Sequence, residues 1–367
     1  DLQFMTVFSD NCYIRVMSDA PQMLLKKPNY PISPILAAYL RRYNRRVNLP
    51  IHYDDLLRFQ GSVTVYDLQD EDTLWVRVYY EESESEEINN ALKQIYSTLH
   101  SDGSHQIFQH LSIDAIDFCT FGNSKPFRIK VRNILNDNYT YFYVKRSDAS
   151  RVYGLEIEHI LSPYNLLFLV SRDTLIEEHI AGIPGDVFLK QYLPQCSDRQ
   201  KAQLAKEFVK FNERCMIRLL GDMRSYNYVV IPVHDFDSVI HKIRAIDFDQ
   251  QNFEGDLKVY RPQFFPENQK MIDLIKTYLK KDSVDQYKRE ERSLLAKRAL
   301  GSEEQIKRLL SAAITDTLST DMHVNTLKSQ IFELTKDSAF SKANSMGEIL
   351  SAALDFVTRN YRDLKTL

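Results

Sequence analysis

The scarcity of glycine limits which nucleotide-binding folds this chain can adopt. The 367 residues include only ten glycines, whereas average usage of about 7% would give roughly 26. No two glycines are adjacent, and none have the spacing of the Rossmann fingerprint, the Walker P-loop or the hydrolase nucleophile elbow. These three kinds of site are therefore excluded, and any phosphate-binding loop here has to work with little glycine.

Composition and charge are those of a globular protein without a general affinity for nucleic acid or membranes. Hydrophobic residues make up 44% of the chain, charged residues 26%, and the formal net charge is −3. Because there is no overall basic field, binding to nucleic acid or to an anionic membrane is not expected. The apolar runs are too short for a membrane span, and the four cysteines lack metal-site spacing. We expect a cytoplasmic protein with reduced thiols.

The pattern of apolar residues divides the chain into four segments. We expect an N-terminal α/β accessory domain over residues 1–105, with a helix over 35–48, and a strand-rich segment over 106–180. Residues 181–265 are predicted to form a long helix and then a strand hairpin, and residues 266–367 about five helices. The expected fold class is therefore α+β.

One stretch of the chain, residues 219–250, groups side chains suited to phosphoryl transfer. Asp222 is followed five residues later by Asn227, then by an apolar strand, a polar turn over 234–238 and a second strand that leads to Asp247. The predicted hairpin brings Asp247 back beside Asn227. A carboxylate can accept the proton of an attacking hydroxyl, and an amide oxygen with a second carboxylate can hold the magnesium that bridges nucleotide phosphates.

The wording of this stretch resembles the catalytic loop and metal-binding segment of the protein-kinase-like superfamily. It is most similar to the aminoglycoside and choline phosphotransferases, whose loops read H-G-D-x-x-x-x-N followed by I-D-[FW]-[DE]. Residues 221–227 and 246–249 match that pattern, and Leu220 departs from it because it stands in place of the histidine.

The resemblance implies a role for each matching side chain. Asp222 would be the catalytic base, and Asn227 and Asp247 would bind Mg²⁺. Arg224 would hold the transferring phosphate. For Asp249 two alternatives stay open, a second metal ligand or a structural acid.

Two further features occur upstream in the order that the resemblance requires. A strand followed by an I-P-G turn resembles the interlobe hinge, where backbone groups around Glu178, His179 and Ile180 would grip the adenine of ATP. Lys145 ends a β-prone run and resembles the lysine that pairs with the α- and β-phosphates, with neighbouring Arg146 as its competitor.

The acidic partner of the lysine and the phosphate-covering loop are also assigned through the resemblance. The helix after Lys145 offers Glu156 as the partner, with Glu158 as the alternative. The segment with Gly122 and Ser124 lies between two β-prone segments and would be a reduced phosphate loop, in which Ser124 and backbone N–H groups replace the usual glycines.

Taken together, the resemblance implies a bilobal protein-kinase-like fold, with the accessory domain before it and a helical C-terminal extension after it. The implied function is ATP- and Mg²⁺-dependent transfer of a phosphoryl group to a hydroxyl. Only about 15 residues separate Asp249 from Phe265, which favours a small-molecule acceptor over a protein. Two alternatives stay open: a pseudokinase or nucleotide-binding interaction scaffold, and the transfer of AMP instead of phosphate.

Overall fold

The chain is an α+β protein built on a seven-strand antiparallel sheet. The computed structural model describes residues 27–66, 70, 72–100, 110–121, 124–235 and 238–361. The strands follow the order β1-β2-β3-β4-β5-β7-β6 in the sheet. They are β1 (Gly61–Tyr66), β2 (Asp72–Tyr79), β3 (Leu111–Cys119), β4 (Phe127–Asn133), β5 (Tyr139–Arg146), β6 (Phe168–Ser171) and β7 (Thr174–Glu178).

A second, smaller sheet contains the predicted hairpin. Its strands are β8 (Ile183–Pro184), β9 (Tyr228–Asp235) and β10 (Ser238–Ala245), in the order β10-β9-β8. The antiparallel register pairs Tyr228 with Ala245 and places the reversal after Asp235. The hairpin prediction is therefore confirmed, and residues 236–237 at its turn lie outside the described part of the chain.

The helices occur mainly after the large sheet. They are α1 (Pro34–Arg42), α2 (Tyr53–Leu56), α3 (Glu82–His100), α4 (Ala149–Leu161), α5 (Asp198–Arg218), α6 (Gln269–Tyr278), α7 (Lys281–Gly301), α8 (Glu303–Thr315), α9 (Asp321–Thr335), α10 (Ser338–Lys342) and α11 (Met346–Asn360). Short helical turns fill much of 185–195 and 257–268. Residues 266–361 thus form six helices where about five were predicted. Among the described residues, none of the helices has the length and apolar character needed to span a bilayer.

The large sheet has one apolar face and one polar face. Alternate residues of β4 and β5, such as Phe127, Ile129 and Phe142, are buried in a core shared with α3. The residues between them point to the opposite face. On β4 and β5 these are Arg128, Lys130, Tyr141, Tyr143 and Lys145.

A second core joins α4 and α5 to the C-terminal helices, and α1 belongs to it. In the large sheet β2 pairs with β3. Strands from before and after residue 105 therefore belong to the same sheet. The domain boundary predicted at 105/106 falls within residues 101–109, outside the described residues. The division into domains therefore stays a prediction.

The helix predicted over 35–48 is shorter than expected, because it ends at Arg42. Asn44 has a φ of 56°, a left-handed conformation that stops a right-handed helix. The chain then extends, and Arg46 forms a parallel bridge with Val170 at the end of the large sheet.

Candidate functional site

The loop after α5 holds Asp222 in a fixed position. Asp222 has a φ of 57°, and its N–H donates to the carbonyl of Val259 (3.0 Å). Asn227 Nδ2 donates to the Asp222 carbonyl (2.7 Å) and lies 3.4 Å from the carboxylate oxygen Oδ2. The loop is thus closed on itself, and both predicted functional side chains are part of that closure.

The hairpin places Asp247 beside Asn227, as the sequence predicted. The Ile246 N–H donates to the carbonyl of Asn227 (3.0 Å), so Asp247, the next residue, lies close to the loop that carries Asn227. Asp247 Oδ1 accepts a hydrogen bond from the N–H of Asp249 (3.1 Å), and its side chain is 36% exposed. Asp222, Asn227 and Asp247 therefore form one cluster of oxygen and amide groups.

Close packing against α4 fixes the segment that carries Asp247. The helix has a glycine at 154, and a Cβ added there would lie 3.0 Å from Phe248 Cβ and 3.2 Å from Gln251 Cβ. Phe248 is 1% exposed. The absence of a side chain at Gly154 is what lets the segment approach the helix.

Lys145 lies at the end of β5 and pairs with Glu177 of β7. Its Nζ is 2.6 Å from Glu177 Oε2, and both side chains are almost fully buried. In the register of the two strands Lys145 is opposite Leu175. Glu177, two residues further along β7, is therefore on the same face of the sheet as Lys145.

The predicted pairing of Lys145 with Glu156 is wrong. Glu156 accepts hydrogen bonds from Tyr39 Oη (2.7 Å), Arg45 Nε (3.2 Å) and Gln305 Nε2 (2.9 Å). This glutamate lies on the side of α4 that packs on α1 and α8, because the helix turns it away from the sheet. Its alternative, Glu158, is paired with Arg218.

Arg151, in the first turn of α4, occupies the centre of the site instead. Its side chain is 1% exposed and lies 3.4 Å from Glu177 and 3.6 Å from Asp247, and it forms an ion pair with Asp249. Asp249 is thus the partner of a buried guanidinium. Through Arg151, the carboxylates of the hairpin segment are connected to the lysine of β5.

The three carboxylates of the cluster have pKa shifts in different directions. Burial and the neighbouring Asp249 raise the pKa of Asp247, although Arg151 and Lys145 oppose the shift. Burial also acts upwards on the pKa of Asp249, but Arg151 outweighs it and the pKa is lowered. The pKa of Asp222 is raised, chiefly by burial and further by the charge of Asp247. A base with a raised pKa suits proton abstraction near neutral pH.

Arg224 is held by two carboxylates next to the loop. Its Nε donates to Asp222 Oδ1 (2.9 Å), its Nη1 donates to Glu267 Oε1 (2.7 Å), and the guanidinium covers the ring of Phe265 at 4.9 Å. The side chain is 26% exposed. It lies beside the predicted base, and its role on the phosphate stays a prediction.

The hinge prediction needs a correction at Glu178. The Glu178 N–H donates to the carbonyl of Leu167 (3.0 Å), and its Oε1 accepts from the Leu167 N–H, so this N–H is not free for an adenine. His179 and Ile180 follow β7 outside regular structure. The ring nitrogen Nδ1 of His179 lies 3.1 Å from the hydroxyl of Tyr143. Tyr143 is half-buried, and desolvation raises its pKa to about 12.

The predicted phosphate loop joins β3 to β4. Gly122 lies outside the described residues, whereas Ser124 is described. Phe127 pairs with Val144, so this loop and Lys145 lie at the same end of the sheet. The carbonyl of Lys125 accepts a hydrogen bond from Tyr53 Oη (2.8 Å). The placement is the one expected, and the phosphate-binding role stays a prediction.

The donor atoms at the loop fit magnesium in part. Asn227 donates to the Asp222 carbonyl through Nδ2, and its Oδ1 takes no part in that bond. With the half-exposed Asp247 it offers two oxygen ligands, and Mg²⁺ commonly takes one or two protein oxygens plus phosphates and water. Among the described residues no group of three or more His, Cys, Asp or Glu side chains could hold a metal, so nucleotide oxygens would have to complete the coordination.

The sequence reasoning missed Arg151 and Glu177. A signal for Glu177 was present, because an antiparallel pairing of the β5 and β7 segments puts its side chain on the face of Lys145. Arg151 gave a weaker signal: it is a cation in a helix whose other residues are mostly apolar. Such a residue is buried only if it is paired.

Comparison with known proteins adds no assignment. No protein-family model matches this chain, and no curated protein is significantly similar to it in sequence.

Proposed function

We propose that the chain adopts a bilobal protein-kinase-like fold and transfers a phosphoryl group from MgATP to a hydroxyl. The observation that carries the proposal is the position of three residues on the loop and hairpin. Asn227 is hydrogen-bonded to the loop of Asp222 and lies directly beside the segment of Asp247. Lys145 belongs to the same charge cluster, since its positive charge partly opposes the rise in the pKa of Asp247.

Each of the four site residues has a defined task in this proposal. Asp222 accepts the proton of the acceptor hydroxyl while the hydroxyl oxygen forms a bond to the γ-phosphorus. The bond between the γ-phosphorus and the oxygen that bridges it to the β-phosphate breaks, and that oxygen leaves with ADP. Lys145 holds the α- and β-phosphates, and Asn227 and Asp247 hold the metal. Mg²⁺ would supply neutralisation of the phosphate charge. A small-molecule acceptor is favoured, because residues 257–268 between the hairpin and α6 are short helical turns.

A nucleotide-binding protein without transfer is the second candidate, and Arg151 is the observation that favours it. Its guanidinium lies 3.6 Å from Asp247, and a fixed positive charge at that distance weakens the attraction of the carboxylate for a cation. The two candidates differ in turnover and agree in nucleotide binding.

A γ-phosphate release and transfer assay separates them. We expect the wild-type chain with MgATP to release or transfer labelled phosphate, and Asp247→Asn to lose this activity. Asp256→Asn is the matched control, because Asp256 is an exposed acid of the following segment that caps a short helical turn. Turnover that persists in Asp247→Asn contradicts the metal assignment. A product that gains AMP in place of phosphate contradicts phosphoryl transfer.

Nucleotide binding itself is tested by thermal shift. MgATP that binds the folded state raises the apparent stability. We expect the increase to be lost in Lys145→Gln and kept in Arg146→Gln, because Arg146 pairs with Asp54 on the opposite face of the sheet. Equal increases in both variants would show that Lys145 is not the phosphate lysine.

A further inference from the structure

A cavity of about 110 Å³ lies at the C-terminal end of α4, far along the helix from Arg151. It is enclosed by α4, the loop after it, α5, β10 and α7. Five cationic and three acidic side chains line it. They are Lys210, Arg214, Lys242, Arg244, Arg298, Glu158, Glu207 and Glu291.

Each acid of this cavity is paired with an arginine. Glu158 forms an ion pair with Arg218, which lies outside the lining. Glu207 and Glu291 both pair with Arg214, at 2.9 and 3.2 Å. Lys210 lies 2.8 Å from Glu290, and Lys242 lies 3.9 Å from Glu207. Among the described residues, two lining arginines remain without such a partner and leave an excess of positive charge.

Arg244 and Arg298 carry that excess. Within the described part of the chain, neither guanidinium has a carboxylate at ion-pair distance. Arg244 stacks on the ring of Tyr164 at 4.7 Å, and its Nε and Nη2 are covered from solvent without a hydrogen-bond acceptor in the described structure. Donor groups that are covered from solvent without an acceptor are costly, and because Arg244 lines the cavity, an anion bound there can supply the acceptor.

We propose that this cavity binds a small oxyanion of the phosphate class, with Arg244 and Arg298 as its main ligands. Guanidinium groups bind phosphate oxygens through charge-assisted, often paired hydrogen bonds. Lys242, on the same strand as Arg244, also lines the cavity, and its Nζ lies 3.9 Å from Glu207. The volume is well above the roughly 10–15 Å³ that one water needs, so a five-atom anion has room. The site is separate from the proposed nucleotide site and does not depend on it.

Calorimetric titration with inorganic phosphate, at constant ionic strength set with sodium chloride, tests the proposal. We expect saturable binding to the wild-type chain and a loss of about tenfold or more in affinity in Arg244→Gln and in Arg298→Gln, because each removes hydrogen bonds to a charged group. Lys297→Gln is the matched control, since Lys297 is an exposed cation next to Arg298 on α7.

Three outcomes overturn the proposal. One is the absence of saturable phosphate binding, and another is equal affinity in the wild type and in Arg298→Gln, a partly exposed position whose change leaves the core intact. The third is loss of phosphate binding in Lys145→Gln, which would place the anion at the nucleotide site. Retained binding in Lys145→Gln together with weakened binding in Arg298→Gln supports the cavity, even if Arg244→Gln does not fold.

Discussion

The two ends of α4 each carry a charge cluster, and one acid at each end, Asp247 and Glu158, can be compared directly. At the N-terminal end Arg151 faces Asp247 and Asp249, and Asp247 keeps 36% of its side chain exposed. At the C-terminal end Glu158 is 6% exposed and paired with Arg218. The acid at the N-terminal end is partly exposed, and the acid at the C-terminal end is buried.

The pKa shifts of these two acids have opposite directions because their charged neighbours differ. Burial and Asp249 raise the pKa of Asp247. Burial acts in the same direction on Glu158, but Arg218 together with Arg214 and Arg244 outweighs it, and the pKa is lowered. An acid with a lowered pKa stabilises the fold when charged, whereas an acid with a raised pKa is charged at a cost in stability. Groups of the second kind concentrate at functional sites, which supports the function proposed for the N-terminal end.

The largest expected effect is on turnover. Asp222→Asn removes the proposed base while keeping the size of the side chain, and we expect the rate of phosphoryl transfer to fall about 10²–10⁴-fold. The measurement is steady-state transfer of labelled γ-phosphate. A rate within twofold of the wild type would contradict the role of Asp222 as the base.

Next in size is the stability effect of Arg151→Met. The change leaves Glu177, Asp247 and Asp249 without their buried cation, so we expect the free energy of unfolding at pH 7 to fall by about 3–5 kcal/mol. Chemical denaturation measures it, with Arg146→Met as the control at a half-exposed position. Equal losses for the two arginines would mean that Arg151 does not hold the cluster together.

A change between the two ends, Gly154→Ala, is expected to have a smaller effect. The added Cβ would lie 3.0 Å from Phe248 Cβ, and overpacking of this kind costs about 1–3 kcal/mol. Because Phe248 follows Asp247, Mg²⁺-dependent turnover should fall as well. Exposed Gly301, with no atom within 4 Å of an added Cβ, provides the control Gly301→Ala. Unchanged stability and turnover in Gly154→Ala would contradict the close packing of α4 against the segment that carries Phe248.

The smallest effects are the pH dependences, which should have opposite signs. Glu158 has a lowered pKa, so it stabilises the fold above its ordinary value of 4.5, and the stability lost in Glu158→Gln should shrink as the pH falls below that value. Asp247 has a raised pKa, so its cost is absent below the ordinary value of 3.8 and appears as the pH rises through the folded-state pKa. In metal-free buffer Asp247→Asn should therefore be more stable than the wild type at pH 7, and equally stable at pH 3. If both substitutions changed the stability relative to the wild type in the same direction as the pH rises, the comparison between the two acids would be contradicted.

The sequence predicted the site best where the structure is local. Asn227 and Asp247 flank a two-strand hairpin, and an antiparallel hairpin returns its second strand to the start of the first. The order of apolar and polar residues is sufficient to predict such a contact. The same holds for Asp222, which is separated from Asn227 by a short loop.

The sequence failed where contacts depend on the phase of a helix or on distant pairing. Glu156 and Arg151 are both in α4, and only the packing of α4 on α1 decides which of them faces the strands. The pairing of β2 with β3 joins segments that flank a long helix. Alternation predicts that each is a strand and does not predict which strands are neighbours.

Magnesium-dependent binding of ATP tests the central claim most directly. Calorimetric titration with ATP, with and without Mg²⁺, is carried out on the wild-type chain and on Asp247→Asn. The account predicts that Mg²⁺ strengthens ATP binding to the wild type and that this gain disappears in Asp247→Asn. Binding that is independent of Mg²⁺ in the wild type, or an equal gain in the variant, would contradict it.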